Sequence, residues 1–526
     1  MKNKIEKVLL ILAIILQPLL DLTILGSPKF QIFGFNISTI IRLLIFGVLA
    51  VITISKFKTL KYKKLMFFYT AISLIYFVLH HFLIQDVTLP VPVYYSLKEE
   101  LYYFLRMIIP PYLIFITVNS EFAKKELKNS IYIVSLILSG VLLVSNITKT
   151  SLATYGDHNV ACNIFEWFNV TYYTCSYLFS ASRGFFTTMI ITYILLLITP
   201  YLIYVYFTDE KNNIFKLILI AINIFSCFVV GTKSSTYGSL IVLAAGIILS
   251  IYMTFISKNV KKNALKTLCI CALFFILYFL LPYAPASNRK FVDNINLTQQ
   301  EDVLSEVVNS KVEIKDLKKY IKKEKIKTNE TEITIEEALT LIEDEEERKM
   351  ILVEYLSKYY YAYGFSQYLI ESSYPYYVDP FFWKELIDEL PLYMRSNNRV
   401  VVDRIFKRVS SLNNDKIKYK LFGIGYSRAS HIYNLEQDFK YQYYSMGLVG
   451  AIILLSPYIM VVLYAGWNIL KNLIRFNQYE CTSLLLGIGL VLCLSYYSGN
   501  TIENLGVIMP LGIICGYALK IAKKGD

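Results

Sequence analysis

Two carboxylates, Glu436 and Asp438, stand just ahead of an apolar run that begins near residue 441. A charge at such a position is tolerable at a membrane interface, where a lipid-borne substrate would present its head group. A carboxylate there could accept a proton from an attacking hydroxyl. Cations occur at comparable places. Arg183 immediately precedes an apolar run, Lys233 lies in the turn Gly231-Thr232-Lys233-Ser234-Ser235, and Asn397-Asn398-Arg399 opens a segment that also carries Arg404, Lys407 and Arg408. A planar guanidinium binds phosphate oxygens two at a time, so arginines here suit a diphosphate. Position alone favours interfacial anchoring for Arg183 and Lys233, and it leaves solvated acids as an equal alternative for Glu436 and Asp438.

The elements that must position these groups surround the stretch 421–450, where Gly423-Ile424-Gly425 leads through the acids to Gly447-Leu448-Val449-Gly450. If the chain is already helical from Glu436, Gly447 returns to within about 20° of the Glu436 direction, with Tyr443 on the same face. Asp438 then points roughly the opposite way. On that expectation Glu436 faces the bundle, and Gly447 and Gly450 let another helix approach closely.

The 526 residues are 55% hydrophobic and 18% charged, with a mean hydropathy of +0.47. Such a composition excludes an ordinary soluble globule and predicts a polytopic membrane protein. The formal charge of +13 resides in lysines of short loops, and no basic groove or nucleic-acid motif accompanies it. Four histidines and eight cysteines show no repeated metal-ligand spacing, so no metal and no cofactor are expected.

Twelve apolar runs of about 20 residues recur, near 8–26, 34–55, 64–84, 101–118, 130–148, 185–207, 214–230, 236–257, 265–284, 441–466, 482–499 and 503–520. The first follows Met1-Lys2-Asn3-Lys4, is long, lacks a small-residue cleavage site and is read as retained. With both termini cytoplasmic, the basic clusters at 56–64, 124–128, 258–262, 471–475 and 520–524 all fall inside. The predicted organisation is all-α: residues 1–284 with nine spans, a large, mainly helical extracytoplasmic loop at 285–440, and 441–526 with three further spans.

Several local expectations follow. Asp21 and Arg42 lie at comparable depths and suit an ion pair, whereas Arg106 could face the site or snorkel outward, with snorkelling favoured. Cys162 and Cys175 are placed outside, where a disulfide could form, and Asp157-His158 reads as loop polarity. Thr334-Ile335-Glu336-Glu337 reads as a capping box opening an amphipathic helix that continues toward Tyr359. The aromatic groups 359–361, 374–377 and 381–383 suit either sugar faces or a membrane-interface belt.

Taken in order, Arg183-Gly184-Phe185-Phe186, Gly231-Thr232-Lys233-Ser234, Arg399, Leu421-Phe422-Gly423-Ile424-Gly425 and the stretch 436–450 make the chain resemble the bacterial O-antigen polymerase and O-antigen ligase family. The charged segment 295–369 has no counterpart in that resemblance. The resemblance implies a GT-C-like, metal-independent membrane glycosyltransferase whose donor is a polyprenyl-diphosphate-linked glycan at the outer face of the cytoplasmic membrane. On that resemblance Glu436, Arg399 and Arg183 are the candidate catalytic residues, with Lys233 assisting the diphosphate or orienting the acceptor, while Arg404, Asp438 and Tyr443 are candidate substrate contacts read from their places in the sequence. Membrane lipid, a chain-length regulator and a flippase of the same pathway are the implied partners. Ligases of the family usually carry a histidine eleven residues before the glycine that is here Gly447; this sequence has Glu436, which favours a polymerase.

Two other classes compete. Twelve spans also suit a transporter, although the long polar segment follows nine spans instead of dividing two similar halves. A non-enzymatic surface receptor would leave Glu436 and the ordered cations unexplained.

Overall fold

The computed structural model describes residues 2–22, 31–32, 34–91, 93, 95–150, 152–153, 163–168, 179–180, 192–209, 211–256, 260–308, 311–313, 332–413, 417–471, 478–499 and 501–523. The side chain of Asp21, and all of Asp157, His158, Cys162, Cys175 and Arg183, lie outside that description.

Each of the twelve apolar runs coincides with a helix. The first nine are α1 (Lys2–Leu22), α2 (Ile37–Ser55), α3 (Lys63–Leu83), α4 (Leu97–Asn119), α5 (Lys124–Ile147), α6 (Tyr193–Thr208), α7 (Asn213–Val230), α8 (Lys233–Ile256) and α9 (Val260–Leu280). A polar region follows with α10 (Pro285–Val308), α11 (Ile335–Leu341), α12 (Glu345–Tyr359), α13 (Pro380–Glu389), α14 (Leu392–Arg395), α15 (Asn398–Leu412), α16 (Ile417–Phe422) and α17 (Tyr426–Ile432). The last three are α18 (Asp438–Lys471), α19 (Gln478–Tyr497) and α20 (Leu505–Ala522).

Among the described residues, ten helices are long and apolar enough to cross a membrane. The remaining two runs form α1, which carries Lys2, Lys4, Glu6, Lys7 and Asp21, and α6, which has only 16 residues. Yet α6 is the centre of the bundle: every side chain from Tyr193 to Phe207 is buried. A helix apolar all round has no face to leave outside, so α7, α8 and α19 pack around it. Gly487 of α19 lies where a Cβ would fall on the Leu197 carbonyl, so a bare backbone is needed at that crossing. At the periphery the pattern reverses. Leu44, Val51, Phe67, Phe82, Ile248, Phe279 and Leu463 stand exposed, as lipid-facing side chains would.

The basic connections meet at one end of the bundle. Lys56 pairs with Glu6, Lys7 with Glu126, Lys124 with Glu480, and Lys128 with Asp209, while Lys520 Nζ donates to the Ser120 and Phe122 carbonyls. Arg42 Nε donates to Gln17 Oε1 at 2.7 Å.

The polar region has an apolar core of its own, built on Leu356, Leu369, Tyr374, Trp383, Val402, Ile405 and Phe406. Tyr374 and Trp383 are fully buried, and Trp383 Nε1 donates to the Tyr374 carbonyl at 3.0 Å. Much of the aromatic wealth at 374–383 is therefore core, neither sugar platform nor interfacial belt, while Tyr361 and Tyr377 remain exposed. The capping box forms as expected, with Thr334 Oγ1 accepting from Glu337 N and Glu337 reaching back to Thr334 N. The helix does not continue to Tyr359 in one piece. Ile342 is extended, and Asp344 Oδ1 accepts from Glu347 N at 3.0 Å to start α12 anew. A short antiparallel pair, Lys311–Glu313 with Glu332–Thr334, leads into this helix.

Candidate active site

The polar region is fastened to the bundle where α18 breaks. At Gly447 the backbone takes φ 70°, ψ −179°, a conformation that side-chain-bearing residues avoid. A break inside an apolar helix frees carbonyls that no water can satisfy. Here the turn after α16 supplies the donors: Ile424 N donates to the Tyr444 carbonyl and Gly425 N to the Ser445 carbonyl, both at 2.9 Å. Tyr76 of α3 donates to the Met446 carbonyl at 2.5 Å. The two backbones cross so closely that a Cβ on Gly447 would meet the Leu421 carbonyl, and one on Gly423 the Ser445 carbonyl. Close approach at Gly447 and Gly450 thus holds, made by the 421–422 backbone and by Tyr76 respectively.

Glu436 lies in the turn ahead of α18, where Gln437 N donates to the Leu435 carbonyl at 2.6 Å. It is not yet helical, and this corrects the expected facing: Glu436 is partly exposed, whereas Asp438 is the buried acid. Asp438 Oδ2 accepts from Ser495 Oγ at 2.7 Å and from Thr501 N and Ile502 N at 2.8 Å each. Asp438 therefore holds the connection between α19 and α20 in place, and these three hydrogen bonds already occupy the oxygen Oδ2 of a carboxylate expected to contact substrate. In that connection Gly499, at φ 64°, lies against the backbone of Glu436 and Gln437, where a Cβ would strike the Glu436 carbonyl carbon.

Arg399 reaches Glu436 from the first turn of α15. Asn397 caps that helix, its Oδ1 accepting from Arg399 N at 3.1 Å. Arg399 Nη2 lies 2.5 Å and Nε 3.1 Å from the same oxygen, Glu436 Oε2. Both donors converge on one oxygen, and among the described residues Oε1 has no protein partner. The two side chains are 38% and 37% exposed, so the pair opens to solvent at the end of the bundle opposite the basic connections.

From Arg399 a polar row leads toward Lys233. Arg399 Nη1 is 3.5 Å from the Tyr497 carbonyl; the next residue, Ser498, has its Oγ 3.1 Å from Tyr193 Oη, which is 2.8 Å from Ser234 Oγ. Lys233 adjoins Ser234 at the start of α8 and is paired with Asp293 at 3.2 Å, both side chains about half exposed. The structure thus brings Glu436 and Arg399 into contact, and places Lys233 beside Ser234 at the far end of the polar row. Arg404 is elsewhere: five residues past Arg399, it is turned by about 140° and pairs with Glu389 at 3.2 Å. Tyr443 is partly exposed in a cleft one turn into α18.

Sequence reasoning missed Tyr193, Ser498 and Gly499, and it quoted Ser234 only as part of the Lys233 motif. Only the Ser498-Gly499 pair at the end of an apolar run hinted at a special turn. Arg106 was also misjudged: it does not snorkel, but lies over the rings of Tyr102, Tyr103 and Tyr426 with centroids at 5.0, 5.0 and 5.4 Å, and donates to the Glu503 carbonyl.

Residues 2–524 match the model of the family described as O-antigen ligase like membrane proteins. The chain belongs to that family. The match spans nearly all of this O-antigen ligase-like protein. Comparison with curated proteins finds no match. As a member of the family the chain is a multi-pass membrane protein, and its many apolar helices agree with that.

Proposed function

We propose that this O-antigen ligase-like protein is a metal-independent membrane glycosyltransferase that polymerises polyprenyl-diphosphate-linked oligosaccharide repeat units at the outer face of the bacterial cytoplasmic membrane. The observation that supports it most is the Arg399–Glu436 pair, open to solvent, with one carboxylate oxygen unengaged by the described residues.

An exposed ion pair contributes only about 0–1 kcal/mol, so an incoming diphosphate, with more charge than a carboxylate, competes readily for the guanidinium. Arg399 then turns to the leaving group, joined by Lys233 and by Arg183 from the segment ahead of α6. Glu436 is released as the base. An acceptor hydroxyl attacks the anomeric carbon, forming the new C–O bond as the bond to the diphosphate oxygen breaks. The electron pair departs with the lipid diphosphate, and the hydroxyl proton passes to Glu436 Oε1. Cations aimed at the developing charge carry the larger part of the acceleration and the base a smaller part. Gly499 and Asp438 fix where Glu436 stands.

The product on this reading is a capsular, teichuronic-type or O-antigen polysaccharide of the cell envelope, with undecaprenyl diphosphate as the lipid carrier. Incubating purified protein in lipid nanodiscs with a lipid-diphosphate oligosaccharide, then sizing the glycans, tests the proposal. A ladder of repeat-unit multiples supports it. Donor that stays unextended, or a single transfer to a non-glycan acceptor, overturns the polymerase reading.

A further inference from the structure

The Arg399–Glu436 pair has a second charged group beside it. Asp403 stands four residues, about one turn, after Arg399 on α15, and Lys440 lies in the first turn of α18, four residues after Glu436 in the chain. Asp403 Oδ2 lies 2.8 Å from Lys407 Nζ and its Oδ1 3.5 Å from Lys440 Nζ, while the Tyr444 hydroxyl donates to Oδ1 at 2.9 Å. Together with Phe439 and Tyr443, these residues line an open cleft of about 290 Å³.

Its parts differ in how firmly they are held. The Tyr444 ring is stacked flat on buried Phe406, with centroids at 4.6 Å and planes at 6°, and Phe439 meets the edge of Tyr496 at 5.7 Å. Those two rings are walls. Tyr443 is partly exposed, and the Lys407 and Lys440 side chains are 61% and 45% exposed. Two ammonium groups share one carboxylate, which leaves the cleft with a surplus of one positive charge and several uncommitted N–H donors. An open aromatic face beside surplus cations fits a ring with C–H patches on one side and a negative substituent at its edge. A neutral sugar would use the face but leave the charge unmatched. An acyl chain would use neither.

We propose that this cleft is a subsite for an acidic sugar of the acceptor glycan, whose ring lies on Tyr443 and whose carboxylate meets Lys407 and Lys440. The assignment of the sugar to the acceptor rests on the glycosyltransferase reading of Glu436, four residues before Lys440 in the chain. The binding itself does not.

The test is therefore a binding measurement without donor. Full-length protein in nanodiscs of zwitterionic lipid is titrated at low salt with a tetrasaccharide of alternating glucuronate and N-acetylglucosamine, and separately with chitotetraose as the neutral counterpart. The acidic sugar is expected to bind at least tenfold more tightly. Lys407→Gln with Lys440→Gln should bring it down to the neutral level, and Tyr443→Ala should weaken both sugars while Tyr443→Phe restores them. Both lysines are surface residues, so the double variant is expected to fold. Equal binding of the two sugars, or an unaltered double variant, overturns the proposal. So does competition by dioctanoyl phosphatidylglycerol that outranks either sugar, since the cleft would then be a lipid-headgroup site. Loss of elongation in Glu436→Gln is a separate result: if that fails while the acidic preference holds, the assignment of Glu436 falls and the subsite stands.

Discussion

Replacing Gly447 with alanine should damage this protein far more than its single methyl suggests. At φ 70°, ψ −179° the backbone occupies a region open essentially to glycine, which costs another residue about 1–3 kcal/mol. The added Cβ would also fall on the Leu421 carbonyl, a backbone group that no side-chain rotation can move aside. Separating the two backbones sacrifices the hydrogen bonds from Ile424 N and Gly425 N, each contributing about 1 kcal/mol. The sum is about 3–5 kcal/mol, a large share of the roughly 5–15 kcal/mol typical of a folded protein. Gly466 on the same helix is the control, because a Cβ there meets nothing within 4 Å and its φ is ordinary. Alanine at 466 should change stability by no more than about 1 kcal/mol. Unfolding followed in mixed micelles, with both variants beside the parent, decides the matter. If Gly447→Ala falls within 1 kcal/mol of Gly466→Ala, the crossing of α16 over the break in α18 is not the fastening described above.

Three further outcomes are expected. Gly499→Ala should push on the Glu436 backbone and lower glycan elongation by about 10²-fold, the scale of a displacement near 1 Å, while donor binding stays within a few-fold; unchanged elongation would detach Gly499 from the site. Burial alone would raise the Asp403 carboxyl, but Lys407, Tyr444 and Lys440 outweigh burial and hold it below the usual carboxylate range. Its stabilising contribution is therefore present at neutral pH and lost as pH falls through that lowered value, so the stability gap between parent and Asp403→Asn should close in acid; a gap independent of pH would contradict this. A single cysteine in place of Tyr443 should react with an impermeant maleimide on intact cells, above the signal of the native cysteines, whereas one in place of Lys61 should need permeabilised cells; the reverse pattern would invert the proposed orientation.

Hydropathy made the helices legible because each span must carry its own apolar run, and even the 16-residue α6 overlaps the run at 185–207. The capping box at Thr334 was legible because it is local, but the interruption at Ile342 was missed, since Asp344 competes for the helix start and a periodic pattern runs through it. Around the site, residue types were legible and directions were not. Glu436 was singled out from its place before a span, and Arg399 from guanidinium chemistry, while their contact depends on how α15 lies on the bundle. Extending the helix back to Glu436 assigned the wrong facing to both acids, because the tight turn at 435–437 precedes the first helical residue. Gly447 was read as a helix–helix contact, and the same bareness served a break that accepts another segment's backbone. Tyr193, Ser234 and Ser498 come from three distant parts of the chain, and no spacing in one sequence could have joined them.

The most direct measurement of the central claim is elongation of a lipid-diphosphate oligosaccharide by Glu436→Gln under single-turnover conditions, with the thermal midpoint recorded on the same sample. The amide keeps the shape and loses proton acceptance. Elongation should slow by about 10²–10⁴-fold, while the midpoint barely moves, because an exposed pair contributes only about 0–1 kcal/mol. Elongation within threefold of the parent would contradict the assignment of Glu436 as the base.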